Sequence, residues 1–362
     1  MALVRLGLKD FRCFAEAELA LSPASSLIVG PNASGKTSLL EAIHVLGQAA
    51  SFRAATLEPV PREGALGFQV TGRLARDGRE IPIGVERRAR RLSLRLAGAP
   101  AGSRADLAQA LPVRVLDADG HLLLEGGPKA RRRFLDWGVF HVEHGFYPIW
   151  RRYQRALKQR NTALRQGAGP RALAAWNLEL SEDGVALDLL RRTYLESLLP
   201  SATAAVETVL GMRLGLELVS GWPEGRSLEQ ALAESYPRDL ATGSTRVGPH
   251  RADLRILLDG QPAPSRVSRG QGKALAGALL AGQLVGFREV TGQRPTLLID
   301  DLPAELDDEH LGRLWVALAA LDAQTVVTAI REELVPEALR NASAVFHVER
   351  LDRSDGGRAK VV

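Results

Sequence analysis

Residues 26–48 read SLIVGPNASGKTSLLEAIHVLGQ, and within them Gly30–Thr37, GPNASGKT, satisfies G-x-x-x-x-G-K-[ST] at every position. Ser26 to Val29 is a short apolar run of the kind that forms a buried strand. Ser38 to Gln48 carries Leu39, Leu40, Ala42, Ile43 and Leu46 at helical spacing. A strand that feeds a glycine-rich loop, which then opens a helix, gives the motif its mechanism. Glycines permit a tight turn whose backbone N–H groups face phosphate oxygens, and the helix N-terminus adds positive potential. Gly30, Pro31, Asn32, Ala33, Ser34 and Gly35 would form this cradle. Lys36 would reach the β- and γ-phosphates, and the Thr37 hydroxyl would ligate Mg²⁺. The stretch predicts a nucleoside triphosphate site.

A second element lies far downstream. Thr296–Asp301, TLLIDD, is an apolar strand ending in two carboxylates. In phosphate-loop enzymes an Asp at such a strand end holds the hydrated Mg²⁺, a role that suits Asp300. Asp301 then stands where a carboxylate orients or deprotonates an attacking water. Two adjacent carboxylates repel, so a metal or a proton must offset one of them.

Between the two elements lies SRGQGK, Ser268 to Lys273, at the start of a long apolar helix, and AELD, Ala304 to Asp307, follows the carboxylate strand. Ser-x-Gly-Gln at a helix start resembles the signature motif of ABC-type ATPases, and AELD resembles their D-loop. The order phosphate loop, signature, carboxylate strand, D-loop is also theirs. In that class the signature of one protomer caps the γ-phosphate held by the other. The resemblance therefore gives Ser268, Gly270 and Gln271, with Asp307, a nucleotide-binding role in trans, favoured by the helix N-terminus.

Further segments narrow the resemblance: LKDFRCF (Leu8 to Phe14), GGPKARRRFLDW (Gly126 to Trp137), LKQRNTALR (Leu157 to Arg165), VGPHRADL (Val247 to Leu254) and LIDDLPAELDD. From end to end the chain resembles the RecF family of bacterial recombination mediators, within the SMC-like ABC ATPases. That resemblance implies an α/β ATPase head with an inserted helix-rich second lobe. It also implies an ATP-dependent homodimer that clamps DNA and acts with RecO and RecR to load RecA. The setting would be single-strand gap repair, replication restart and SOS induction. Hydrolysis would be weak, Mg²⁺-dependent and DNA-stimulated, serving as a switch. Arg12 and Asn32 would reach phosphates from beside the loop. The histidine of the usual ABC switch loop is missing, with Thr328 the nearest polar residue, and no Q-loop glutamine stands out. A stand-alone ATPase of the superfamily is the alternative. A transporter subunit fits less well, because Asp301 stands where such subunits carry glutamate and because the middle of the chain is basic.

The rest of the sequence fits a nucleic-acid partner. The 362 residues carry a net charge of +5, but Glu86 to Arg165 alone holds 17 Lys and Arg against seven Asp and Glu. Such asymmetry points to a polyanion, although only six of the 47 cationic residues are lysine. A single cysteine, Cys13, excludes an internal disulfide framework and any Cys-based zinc site. No apolar run is long enough to span a bilayer and the N-terminus lacks a signal pattern, so the expected setting is cytoplasmic, without a membrane. We expect two lobes: residues 1–113 plus 292–362 with the phosphate loop and carboxylate strand, and 114–291 with the signature.

A helix expected from Trp150 to about Gln166 places Arg151, Arg155, Lys158 and Arg165 within an arc of about 80°. Trp150, Tyr153, Leu157 and Leu164 lie opposite. The cationic face suits single-stranded or gapped DNA held by its backbone, without sequence preference. Arg131 to Arg133 are either a DNA contact or a hinge between lobes. The cluster at Arg87, Arg88, Arg90 and Arg91 reads as charge protecting a sheet edge. His141 and His144 lack the further ligands of a metal site, and His250 reads as a turn residue. Strands are expected over 3–8, 17–21, 245–258, 296–299 and 325–328, with hairpins over 65–97 turning at Asp77-Gly78. Helix is expected to dominate 126–240 and to resume at Gln271.

Overall fold

The computed structural model describes residues 1–301, 308–337, 340, 343–350 and 359–361. The chain opens with strands β1 (Ala2–Phe11), β2 (Phe14–Ala20) and β3 (Ser25–Val29), then helix α1 (Lys36–Gln48). Four strands follow: β4 (Gly67–Arg76), β5 (Arg79–Arg88), β6 (Arg91–Leu96) and β7 (Ala99–Pro100). Next come α2 (Arg104–Ala110), β8 (Val113–Leu116), α3 (Leu122–Glu125), α4 (Pro128–Val142), α5 (Phe146–Arg165) and α6 (Pro170–Leu210). After β9 (Leu214–Val219) and α7 (Leu228–Thr242) come β10 (Asp253–Leu258), β11 (Gln261–Pro262) and α8 (Arg269–Thr291). The chain ends with β12 (Thr296–Asp300), α9 (Asp308–Ala319), β13 (Gln324–Ala329), β14 (Ser343–Arg350) and β15 (Ala359–Val361). Two compact units result, Met1–Gly120 with Gly292–Val362, and His121–Thr291.

The first unit holds two sheets. One is antiparallel in the order β2-β1-β4-β5-β6-β7; the other, β15-β14-β3-β13-β12-β8, is parallel apart from β15 at its edge. Helix α1 packs against strands of both sheets. Its Leu39, Leu40, Ile43, Val45 and Leu46 are fully buried, in one core with Leu6, Phe14, Val70, Leu298 and Val326. A helix apolar on nearly every side needs cover on both faces, and the two sheets supply it. Strands β3 and β13 are buried at every position, and β12 at all but its last residue, Asp300, as parallel strands covered on both faces are. Gln324 ties the two layers: its amide accepts from Leu3 N at 2.7 Å and donates to Leu3 O at 2.7 Å and Ser22 O at 2.9 Å.

The second unit is built on α6, 41 residues long. It packs against α4, α5, α7, α8 and β9. Helices α6 and α8 approach so closely that a Cβ on Gly282 would strike the Ala202 backbone. The Ser201 hydroxyl bonds Gly282 O at 2.9 Å in the same crossing.

Several expectations need correction. The basic helix starts at Phe146 rather than Trp150, and α1 and α8 each begin two residues early. Residues 245–252 are not strand; β10 begins only at Asp253, because Gly248 at φ 124° and Pro249 impose a 3₁₀ turn over Pro249–Arg251. Strand β9 lies unforeseen within the helix-rich middle. Arg87 and Arg88 are not on an edge: β5 is paired on both sides, by β4 and β6. Arg131 and Arg132 are half-buried and engaged within the second unit. Arg131 grips Asp253 through two hydrogen bonds, at 2.7 and 2.9 Å, and Arg132 donates to Ala252 O at 2.6 Å, fastening α4 to the start of β10.

Candidate nucleotide site

The loop between β3 and α1 is shaped by backbone conformations that few side chains tolerate. Gly35 sits at φ 117°, and a Cβ there would meet Cys13 Sγ at 2.8 Å and the Phe14 ring at 2.9 Å. A Cβ on Gly30 would strike Val348 O. Ala33 takes a left-handed conformation at φ 61°, so the loop turns inward and leaves Pro31, Asn32 and Ala33 as its exposed crest. At the start of α1 the Ser38 and Leu39 amides donate to Gly35 O at 2.9 and 3.2 Å, while those of Lys36 and Thr37 precede the first such bond and suit an anion. Lys36 is 5% exposed. Its ammonium folds back on the loop, donating to Gly30 O at 2.8 Å and Pro31 O at 3.1 Å.

The carboxylates of β12 end beside the helix start. Thr37 Oγ1 donates to Asp300 Oδ1 at 3.0 Å, joining residues 263 positions apart. Thr328, fully buried at the matching position of β13, donates to the same oxygen at 2.8 Å and accepts from Asp301 N at 3.0 Å. Asp301 is thereby held in a left-handed conformation, φ 49°. Burial pushes its carboxyl above the usual range; Asp300 adds to the rise and the Lys36 ammonium opposes it. Thr37 and Asp300 form a hard-oxygen pair, the donor chemistry that suits Mg²⁺ when phosphates and water complete the shell. In the sequence Thr328 stands out only as the nearest polar residue after a missing histidine. Its part in holding both aspartates depends on the β12–β13 register, which the sequence does not display.

Arg12, φ 54°, turns toward α1. Its guanidinium binds the fully buried Glu41 carboxylate at 2.6 and 2.8 Å and donates to Pro59 O at 2.7 Å. Ser51 and Arg53 reach the same carboxylate. In the second unit, Ser268 opens α8 with a reciprocal cap. Gln271 N donates to Ser268 Oγ at 3.3 Å, and Ser268 N donates to Gln271 Oε1 at 3.0 Å. Ser268 itself is exposed. Asp307 lies outside the described residues.

The profile of the RecF/RecN/SMC N terminal domain family matches residues 2–353. The "DNA replication and repair protein RecF" of Thioalkalivibrio sulfidiphilus is 40% identical over 96% of this chain and 98% of its own length. The protein of that name from Azotobacter vinelandii is 42% identical, covering 97% of each chain. The chain belongs to the RecF family. Its structure is similar to that of the recombination mediator protein RecF-ATPrS in the RecFOR pathway, with a TM-score of 0.85 at 25% identity over 99% and 98% of the two chains. An SMC head bound to the C-winged helix domain of ScpA shares the fold more distantly, at TM-score 0.59 and 17% identity over 100% and 98% of the two chains. The architecture is the ABC-like ATPase head of RecF and SMC proteins.

In this chain the four cations of the α5 stripe are all exposed, but they are not equivalent. Arg155 is paired with Glu179 of α6 at 3.0 Å. Arg151 lies over the Tyr147 ring at 5.8 Å, and Arg165 donates to Gly243 O at 3.4 Å and Thr162 Oγ1 at 3.2 Å. Within LKQRN, Arg160 is an interior residue with no exposure. It donates to the buried Asp239 carboxylate and to Thr245 Oγ1, both at 2.7 Å, and to Asn177 at 2.7 Å. Burying an unpaired guanidinium costs several kcal/mol, so this motif carries an internal support as well as a surface. Hydrophobic periodicity locates Tyr153 and Leu164 on the packed face; it gives no sign that an arginine joins them. His250 is a turn residue, as its sequence context indicates. No helix among the described residues is long and apolar enough to cross a membrane.

Proposed function

We propose that this RecF-family chain is an ATP-dependent, DNA-binding recombination mediator. The observation that carries the reading is the meeting of Lys36, Thr37, Asp300 and Asp301 at one point, through the hydrogen bonds that Thr37 and Thr328 share on Asp300. ATP would lie with its phosphates over Gly30–Thr37. Lys36 would exchange its two carbonyl partners for phosphate oxygens, a charge-assisted gain of order 1–3 kcal/mol. Thr37 and Asp300 would hold Mg²⁺, which when bound screens the phosphate charge. Asp301, its basicity raised by burial, would accept the proton of the attacking water.

Its side chain is one methylene shorter than the glutamate of ABC transporters, which fits slow hydrolysis used as a timer. Ser268, with the amides of Gly270 and Gln271, would cap the γ-phosphate held by a second copy. ATP would therefore join two protomers, and hydrolysis would part them. The joined form would clamp gapped or single-stranded DNA by its backbone and, with RecO and RecR, promote RecA loading in gap repair, replication restart and the SOS response. The RecF name shared by its relatives supports that wider setting, as does the fold shared with RecF-ATPrS.

Two variants separate the roles. Lys36→Ala is expected to weaken nucleotide binding about 100-fold or more and abolish the ATP-dependent dimer. Ser268→Arg keeps nucleotide binding as a monomer and does not dimerise. Loss of both properties in Ser268→Arg contradicts the role in trans; an unchanged ATP-dependent dimer in Lys36→Ala contradicts the phosphate-loop assignment.

A further inference from the structure

Residues 245–252, TRVGPHRA, have no regular strand and only a short 3₁₀ turn, yet side chains from four helices hold them. From α5, Arg160 donates to Thr245 Oγ1 at 2.7 Å, and Asn161 Oδ1 accepts from both Thr245 N and Thr245 Oγ1 at 2.7 Å. From α7, the Asp239 carboxylate accepts Arg246 N at 3.0 Å while it binds Arg160. From α6, Arg191 donates to Pro249 O at 2.8 Å, and from α4, Arg132 donates to Ala252 O at 2.6 Å.

The His250 ring links the turn to itself and to α5. Its Nε2 lies 2.9 Å from Thr245 O, so Nε2 carries the hydrogen and Nδ1 accepts from the Tyr153 hydroxyl at 2.6 Å. Gly248 N bonds Gly221 O at 3.0 Å, and a Cβ on Gly221 would strike Gly248 O.

Such a framework includes a fully buried Arg160–Asp239 pair. Buried pairs of this kind seldom add to stability and can instead serve to fix one conformation. The two residues of the turn left exposed are Arg246 and Arg251. Arg251 NH2 lies 3.5 Å from Thr245 O, beside Arg246. Arg165, at the end of the α5 stripe, reaches Gly243 just upstream. The turn meets α5 through Tyr153, Arg160 and Asn161, away from Arg151, Arg155 and Lys158, and of the stripe only Arg165 lies near its start; there it presents two guanidinium groups on an ordered backbone. An ordered backbone lowers part of the entropic cost of contact, and a guanidinium fork matches phosphate geometry.

We infer that Arg246 and Arg251 are phosphate contacts for the DNA backbone, and that Arg160, Asn161, Thr245 and His250 are the residues that position them. This inference rests on the DNA-binding reading of the proposed function. It explains why LKQRN and VGPHR, remote in sequence, are parts of one device.

The test measures ATP-dependent binding of the full chain to a gapped duplex over a salt series, for the unaltered protein and for Arg246→Ala with Arg251→Ala. The expected slope of log affinity against log salt falls by about 2 for each bound protomer, since each phosphate contact contributes about 0.9. Nucleotide affinity stays unchanged. Thr245→Val, which removes the hydroxyl shared by Arg160 and Asn161, is expected to lower the slope in the same direction, while Thr245→Ser restores it. A double variant with unaltered slope and affinity overturns the inference while leaving the DNA-binding reading intact. Absence of DNA binding by the unaltered chain overturns both.

Discussion

Thr328 shows how much of the site rests on a single hydroxyl. It donates a hydrogen bond to Asp300 and accepts one from the Asp301 amide, so it sets the separation and orientation of the two carboxylates. Thr328→Val keeps the shape of the side chain and removes both bonds. We expect ATP binding to persist, because the phosphate loop is untouched, and turnover to fall about 10- to 100-fold, the usual cost of losing a group that orients metal and base residues. Single-turnover hydrolysis checks this; turnover equal to the unaltered protein would show that Thr328 only fills space. The phosphate loop and the two aspartates are legible in the sequence because their chemistry is local: glycines where φ is positive, an apolar run ending in acids. Thr328, Glu41 beneath Arg12 and Arg160 beneath the 245–252 turn are not, because each depends on which strands or helices become neighbours.

At the scale of elements, two half-buried histidines join segments to their neighbours in the neutral form. His44 of α1 holds Ala50 O at 2.7 Å, and burial lowers its pKa to about 4. His250 binds Tyr153 and Thr245 O, and burial lowers it likewise to about 4. The folded state therefore binds these protons later than the unfolded chain, whose histidines titrate near 6.5. Their contribution is complete above pH 6.5 and is lost as pH falls through about 4, with a slope of about 1.4 kcal/mol per pH unit for each histidine. Urea unfolding between pH 7 and 4.5 is expected to show this slope, and His250→Gln to remove one histidine's share. An identical slope in the variant would mean that His250 is not neutral in the fold. Periodicity reveals α1, α5 and the hairpins well, since one apolar face decides each. It fails for 245–252, where side chains replace the backbone ladder, and for β9, a six-residue strand set between helices.

For the molecule as a whole, the phosphate loop and carboxylates belong to one compact unit and the signature helix to the other. Each unit would supply half of a composite nucleotide site that only a second copy completes. This division is legible from the order of the motifs along the chain. Which surface meets DNA is less so, because charge counts register paired and unpaired arginines alike. Arg131, Arg152 and Arg160 are all engaged by aspartates, whereas Arg246 and Arg251 lie outside the regional charge excess of residues 86–165.

Sedimentation velocity of the full chain tests for an ATP-driven dimer that closes on DNA. The runs would compare Mg²⁺-ATP with no nucleotide, each with and without a gapped duplex. The account predicts a monomer without nucleotide, a dimer with ATP, and co-sedimentation of that dimer with the duplex. A monomer that hydrolyses ATP at the same rate whether or not DNA is present would contradict it, and would leave a self-contained ATPase with the RecF fold.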